Sequence, residues 1–236
     1  MGRVTHTADL WHHYGRTRQT TDRAVPDRFF WDWGQDGGPG AELLGDVTGR
    51  WVGDLGAGAA RHAAHLAVHH RPACVVAIDA SPAQHAMADD LYGHLAPRLS
   101  LAHCDVPAHL RTSADTYDVL YSVFGAVDFT EPRELLPAAL SALRPGGRLV
   151  FATLAHHLGG APAHPGVRHT EIGAKTPYGT VVLMRRWVLQ EPVWTMLLDE
   201  AGFTQISTEV LPGGPGTRAA DTLLVTAFHT GGRQTV

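Results

Sequence analysis

The segment Trp51-Val52-Gly53-Asp54-Leu55-Gly56-Ala57-Gly58-Ala59-Ala60-Arg61 reads as an apolar strand, a glycine turn and the start of a helix. Gly56 and Gly58 let backbone approach a ligand closely, and the first helical turn offers amides with no intrahelical partner. Tight strand–helix turns also use glycine for geometry alone, so the surrounding residues decide. A dinucleotide fingerprint asks for Gly or Ala three positions after the second glycine. Arg61 stands there instead, which opposes a nicotinamide-dependent oxidoreductase. Asp54 puts a carboxylate at the strand end, where it would repel a pyrophosphate and suit a ligand bearing an ammonium or other cation. Asp79 ends the next apolar run, and an acid in that place can accept both hydroxyls of a ribose. Asp105 follows the third run and could accept from an exocyclic amine, although strand-end aspartates are also common turn formers.

Aromatic residues flank this set. Trp11, Tyr14, Phe29, Phe30, Trp31 and Trp33 precede the first strand, and Phe124 and Phe129 follow the fourth. They either close an apolar chamber above the strand ends or pack on the sheet edge. His12-His13, His69-His70 and His156-His157 are adjacent pairs, and neighbouring residues on a strand or helix point apart, so a pair alone chelates poorly. No metal is expected. The chain has 16 histidines, one lysine (Lys175) and no asparagine, a GC-rich codon bias that makes most histidines surface residues.

Strand-like runs cover Arg50–Leu55, Ala73–Asp79, Leu99–Cys104, Tyr117–Val123 and Arg148–Leu154. Helix-like runs cover Ala59–His70, Pro82–Leu95 and Glu131–Leu143, with Thr7–Tyr14 as a further possible helix start. Alternating elements with strongly apolar strands require a parallel sheet covered on both faces. Ser81-Pro82 is a helix cap followed by proline at the first helical position. Arg144-Pro145-Gly146-Gly147 stops the third helix. After Leu154 comes a His-, Gly- and Pro-rich stretch, 155–187, ending in the apolar ribbon Thr180–Val188. A helix Glu191–Ala201 and strands Phe203–Leu211 and Thr222–Phe228 follow, and the tail after His229 is expected to fray.

The 236 residues fit one α/β domain with decoration. A net charge of -4 gives no footprint for nucleic acid or an anionic membrane. No apolar run reaches the roughly 18 residues of a span, and the first 14 residues lack the apolar core of a secretory leader. Cys74 and Cys104 sit in apolar runs and read as reduced core residues, so a cytoplasmic location is expected.

Asp54-Leu55-Gly56-Ala57-Gly58, Ile78-Asp79-Ala80-Ser81, His103-Cys104-Asp105-Val106, Tyr117-Asp118-Val119-Leu120-Tyr121-Ser122, Leu143-Arg144-Pro145-Gly146-Gly147-Arg148-Leu149-Val150 and Glu200-Ala201-Gly202-Phe203 follow one another in order. Together they resemble the class I S-adenosylmethionine-dependent methyltransferases over roughly residues 48–228. The resemblance implies a Rossmann-like α/β fold: a seven-stranded, mostly parallel sheet with helices on both faces and the last strand antiparallel. It implies Gly56 and Gly58 against the amino-acid part of S-adenosylmethionine, Asp79 on the ribose, Gln84 near the adenine and Asp105 on its amine. Asp54, Ala80, Val106 and Ser122 complete the expected cofactor wall, with Tyr14 at the cofactor's carboxylate. The family's common third glycine is Ala60 here, which a first helical turn should tolerate.

The lack of asparagine opposes the Asn-Pro-Pro-Tyr type of nucleic-acid enzyme and the metal-dependent catechol type. A single Glu131 opposes the paired-glutamate loop of protein arginine methyltransferases. A small-molecule branch acting on metabolites or natural products of secondary metabolism remains. The expected layout is a lid or cap over 1–45 and a cofactor domain over 46–236, with 155–187 as a substrate-side insertion. Trp31, Trp33, Phe124 and Phe129 are the expected acceptor contacts. His156 and His157, directly after the fifth strand, are candidate general bases, of which only one faces the chamber. A non-catalytic partner subunit that binds the cofactor is the alternative, and an oxidoreductase the less favoured one. The acceptor and the oligomeric state are not legible.

Overall fold

A computed structural model describes residues 10–14, 23–214 and 220–231. Its main sheet is built from β1 (Trp51–Leu55), β2 (Cys74–Asp79), β3 (Leu99–His103), β4 (Tyr117–Val123), β5 (Leu143–Leu154), β8 (Thr204–Leu211) and β9 (Thr222–Phe228). Their order is β3-β2-β1-β4-β5-β9-β8. The first five are parallel, and β9 runs antiparallel between β5 and β8. The expected seven-stranded sheet is therefore present.

Helices α1 (Arg61–His69), α2 (Pro82–Tyr92), α3 (Val106–Arg111), α4 (Ala126–Phe129), α5 (Pro132–Ala142) and α6 (Glu191–Ala201) connect the strands. Two apolar clusters lie on the two faces of the sheet. One joins α3, α5 and α6 to the strands through Leu110, Leu135, Trp194 and Phe151. The other packs Ala63 and Leu66 of α1 and Met87 of α2 beside Phe29 and Trp31 from the N-terminal segment. That segment serves as a layer of core on the α1–α2 face. Trp31 is fully buried and donates its Nε1–H to the Gly40 carbonyl (2.9 Å).

The cap at Ser81 forms as the sequence predicts, its Oγ accepting from Gln84 N–H (3.2 Å) with Pro82 at the first helical position. The helix expected to continue to Leu95 tightens into a 3-10 turn at Gly93–Leu95. β5 begins at Leu143 rather than Arg148, and its pairing to β4 skips between Tyr117 and Val119, so Arg144–Gly147 bulge inside a strand. The insertion is a hairpin, β6 (Thr170–Lys175) with β7 (Val181–Arg186), hydrogen-bonded apart from the main sheet. Of the possible helix Thr7–Tyr14, residues 10–14 are a short turn, and the remainder lies outside the described residues. The tail from 232 onward lies outside them too. No helix among the described residues is long and apolar enough to cross a membrane. Cys74 and Cys104 are free thiols.

Candidate functional site

The strand order reverses at β1, whose neighbours are β2 and β4, and ligands of open α/β sheets sit beyond the strand ends at such a point. The glycine turn lies there. Gly56 and Gly58 hold positive φ of 78° and 55°, the left-handed region that glycine enters without a side-chain penalty. Gly56 and Ala57 N–H both donate to the Ile78 carbonyl (2.9 and 3.1 Å), tying the turn to β2. Asp79 then accepts from Gly58 N–H through Oδ2 and from Ser81 N–H through Oδ1, each at 2.8 Å. Burial pushes its pKa up, against the pull of those two amides and of His103 and His85. The two rings stack at 5.2 Å.

Asp54 is 3% exposed and pairs in register with Tyr121 of β4. Tyr121 O–H donates to Asp54 Oδ2 at 2.8 Å. Burial raises the Asp54 pKa to about 7, opposed by the tyrosine bond and reinforced by the charge of Asp79. Burial beside Asp54 also drives the Tyr121 phenol well above its ordinary value.

A second group converges after β4 and β7. Trp33 meets Phe124 edge to face at 4.9 Å. The Arg186 guanidinium lies 5.4 Å from both the Trp33 and the Phe129 rings, a cation–π sandwich. Two Arg186 nitrogens donate to Asp128 Oδ2 at 2.6 and 3.1 Å. Asp128 is fully buried; desolvation raises its pKa and Arg186 holds it down. The pair and the bond from Trp187 N–H to the Asp128 carbonyl (2.8 Å) join the end of the insertion to α4. The turn 10–14 lies across the same strand ends. Trp11 packs edge to face on Phe129 at 4.7 Å, and Gln84 donates to the carbonyls of Trp11 and Tyr14 (2.9 and 3.0 Å). His13 Nε2 lies 2.9 Å from the Thr176 carbonyl at the tip of the hairpin.

Residues 52–147 match the family model described as a methyltransferase domain. Over those residues the chain resembles that family. Solved structures share its fold over most of the chain. One is an S-adenosylmethionine dependent methyltransferase from Mesorhizobium loti, 21% identical, covering 79% of this chain and 94% of that one with a TM-score of 0.57. A second is the 1,6-didemethyltoxoflavin-N1-methyltransferase of Burkholderia thailandensis, 20% identical, covering 94% and 84% with a TM-score of 0.58. A third is the [4+2]-cyclase SpnF, 16% identical, covering 95% and 96% with a TM-score of 0.68. No curated protein matches the chain.

The likeness to methyltransferases points to S-adenosylmethionine as cofactor, and the residues are compatible with it. An ionised carboxylate has about four lone-pair sites. Asp79 uses one on each oxygen for backbone, which leaves acceptors for a diol. Asp54 at the neighbouring strand end is a buried carboxyl whose pKa is raised to about 7 and whose Oδ2 accepts from Tyr121.

The other residues expected at the cofactor or acceptor are placed as follows. Ser122 is fully buried, and its hydroxyl donates to the Leu55 carbonyl (2.8 Å), so it braces β4 against β1. Gln84 commits both carboxamide hydrogens to the carbonyls of the turn 10–14, and its Oε1 lies beside the Gly58 turn. Asp105 caps α3 by accepting from Ala108 N–H (3.0 Å), the turn-forming role. Ala80 is exposed, and Val106 is buried at the start of α3. The Tyr14 side chain is 63% exposed, and its carbonyl makes the contact to the domain. Trp31 is core and faces no chamber. Ala60 precedes α1 with φ 58°, so the methyl occupies a strained left-handed position rather than a relaxed first turn.

His156 uses both ring nitrogens. Nε2 accepts from Asp221 N–H (3.2 Å), which leaves Nδ1 to donate to the His157 carbonyl (3.0 Å). It is a bracket for the β9 approach and no free base. His157 stands against His164 at 5.1 Å, with its pKa lowered by burial and then by Arg186 and His156. Sequence reasoning missed the Asp128–Arg186 pair, the Asp54–Tyr121 bond and the Trp11–Phe129 contact. The available signals were an acid inside the apolar run Ala126–Phe129 and an arginine inside the apolar ribbon Thr180–Val188.

Proposed function

We propose that this chain transfers a methyl group from S-adenosylmethionine to a small-molecule acceptor held under the turn 10–14 and the hairpin β6–β7. The observation that carries the reading is the meeting of two groups at one set of strand ends. The Asp79-braced glycine turn lies on one side, and Trp33, Phe124, Phe129 and Arg186 lie on the other. When bound, the cofactor supplies an electrophilic methyl on a sulfonium, open to in-line displacement. Asp54, Gly56, Gly58 and Asp79 orient it. The aromatic rings exclude water and fix the acceptor, which is where proximity gains arise. The Burkholderia relative, a methyltransferase bound to 1,6-didemethyltoxoflavin, supports a metabolite-sized acceptor. Neither a nucleic acid nor a membrane is a partner in this reading.

His157 is the base for a protic acceptor. Its lowered pKa keeps a ring nitrogen free for the proton at neutral pH. His157→Ala should lower kcat by roughly 10²–10⁴ with cofactor affinity unchanged, and His156→Ala should not. The wild-type rate should fall on acidification only below the ordinary histidine range, and His157→Ala should lose that limb. Near-wild-type kcat in His157→Ala would mean that positioning alone suffices.

The lid is tested by truncation. Phe29 and Trp31 are core, so removing residues 1–33 would cost on the order of 3–5 kcal/mol per buried ring. Removing residues 1–22 spares them and deletes Trp11 and Tyr14. That protein should keep its melting temperature within a few degrees and lose about tenfold or more in kcat/KM. Normal turnover by this truncation would remove the lid from the account.

Incubation with methyl-labelled S-adenosylmethionine and a metabolite extract, read by mass spectrometry, tests the transfer itself. A second reading is a chain that binds the cofactor without transferring its methyl. The likeness to the [4+2]-cyclase SpnF over 95% of this chain favours it. Saturable cofactor binding with no labelled product would select that reading, and binding of NADH instead would overturn both.

A further inference from the structure

Three histidines lie at the end of α1 away from the glycine turn, and the cofactor site uses none of them. His65 is 5% exposed, and its Nδ1 lies 2.8 Å from the Pro26 carbonyl oxygen. A carbonyl can only accept, so Nδ1 carries the proton and Nε2 of the neutral ring carries the lone pair. A backbone carbonyl on the far nitrogen is also how metal-ligating imidazoles are commonly oriented. His65 Nε2 lies 3.2 Å from His70 Nε2. Two imidazole nitrogens on one tetrahedral ion, each at about 2.0–2.1 Å, stand roughly 3.3 Å apart. His69 follows His65 by one helical turn, on the same face of α1, with its ring 4.9 Å away.

Burial lowers the pKa of both His65 and His70, and neighbouring histidines lower them further, so both rings are neutral and able to ligate at pH 7. Asp27 acts on His65 and Glu42 on His70 in the opposite sense, as anions that favour a cation between the rings. Among the described residues no three such side chains already surround one point. The anchor is therefore two nitrogens, with the His69 ring beside them. The helix ends at His69, so His69 and the following His70 both reach the His65 ring, at 4.9 and 5.1 Å. The chelate uses His65 with each of them.

We propose that His65 and His70, completed by His69 and solvent, hold one divalent ion of the zinc, cobalt or nickel class. The ion would fix the backbone at Pro26 to α1. Phe29, Trp31 and Trp33 follow Pro26 directly, so its job is to set the N-terminal layer rather than to take part in chemistry.

The test uses untagged full-length protein, titrated with Zn(II) and Ni(II) by calorimetry and with Co(II) by visible absorption. One ion per chain should bind with micromolar affinity and raise the melting temperature. His69→Ala and His70→Ala are the informative variants, since both side chains lie outside the core. Each should weaken binding at least tenfold, whereas replacement of the exposed His94 should leave it unchanged. No saturable binding, or a loss smaller than tenfold in either variant, would overturn the site.

Discussion

Asp79→Ala should weaken binding of S-adenosylmethionine and of its demethylated product by about 10²–10⁴-fold in a protein that remains folded. Two charge-assisted hydrogen bonds to the ribose are lost, each worth about 1.5–3 kcal/mol. The structure adds a second effect in the same direction, because the carboxylate also fixes Gly58 and Ser81 N–H. Asp79→Asn separates the two contributions. An amide keeps one acceptor for a backbone N–H and loses the charge, so its affinity should fall between wild type and alanine. The pH dependence follows from the raised pKa of a group that is buried before the ligand arrives. Acidification protonates it above the ordinary carboxylate range, so affinity should begin to fall before that range is reached, and Asp79→Asn should flatten the profile. Calorimetry on circular-dichroism-verified protein reads all three. Unchanged affinity in Asp79→Ala would remove the ribose role.

The second large effect is on stability. Arg186→Met leaves Asp128 fully buried without its partner, which costs about 3–5 kcal/mol. At roughly 2–4 °C per kcal/mol for a chain of this size, the melting temperature should drop by about 6–20 °C. Asp128→Leu combined with Arg186→Met removes both charges and should recover most of the loss. The sign of the pH effect distinguishes this from a packing defect. Without Arg186 the folded state binds a proton at Asp128 more tightly than the unfolded chain does. Stability of Arg186→Met should therefore fall as pH rises through the carboxylate range and improve on acidification. Urea denaturation from pH 5 to 8 measures it. If Arg186→Met is as stable as wild type at neutral pH, the pair does not anchor the hairpin.

The sheet was legible because each of its elements carries its own signal. Uninterrupted apolar runs mark strands buried on both faces, and Ser81-Pro82 and Gly202 mark helix ends with local backbone chemistry. The glycine turn and Asp79 were legible for the same reason, since positive φ and a strand-end acid are properties of short segments. The illegible contacts were those between distant segments. Trp31 and Trp33 are two residues apart and look alike in sequence, yet one is core and the other meets Phe124. Their fates depend on where residues 29–33 cross the sheet. Asp128 and Arg186 are 58 positions apart, and nothing in either segment names the other. Ser122, Gln84 and Asp105 share one cause of misreading. Ser122 is the penultimate residue of β4, Asp105 follows β3 and Gln84 sits in the first turn of α2, and each is bonded to backbone groups of a neighbouring segment or of its own helix.

Gly56 and Gly125 touch backbone to backbone. A Cβ on Gly56 would fall 2.3 Å from Ala126 N, and one on Gly125 would fall 2.5 Å from the Leu55 carbonyl oxygen. The glycine turn after β1 and the turn after β4, proposed to face cofactor and acceptor, are thus one welded joint with no room for a side chain at either position. For anyone redesigning the acceptor range, this divides the pocket into a fixed half and a tunable half. Changes around residues 122–126 would be transmitted straight into the cofactor turn. The hairpin 170–185, with Arg186 kept for its buried pair with Asp128, and the side chains of residues 10–14 carry no such backbone contact among the described residues, so a diversified library belongs there.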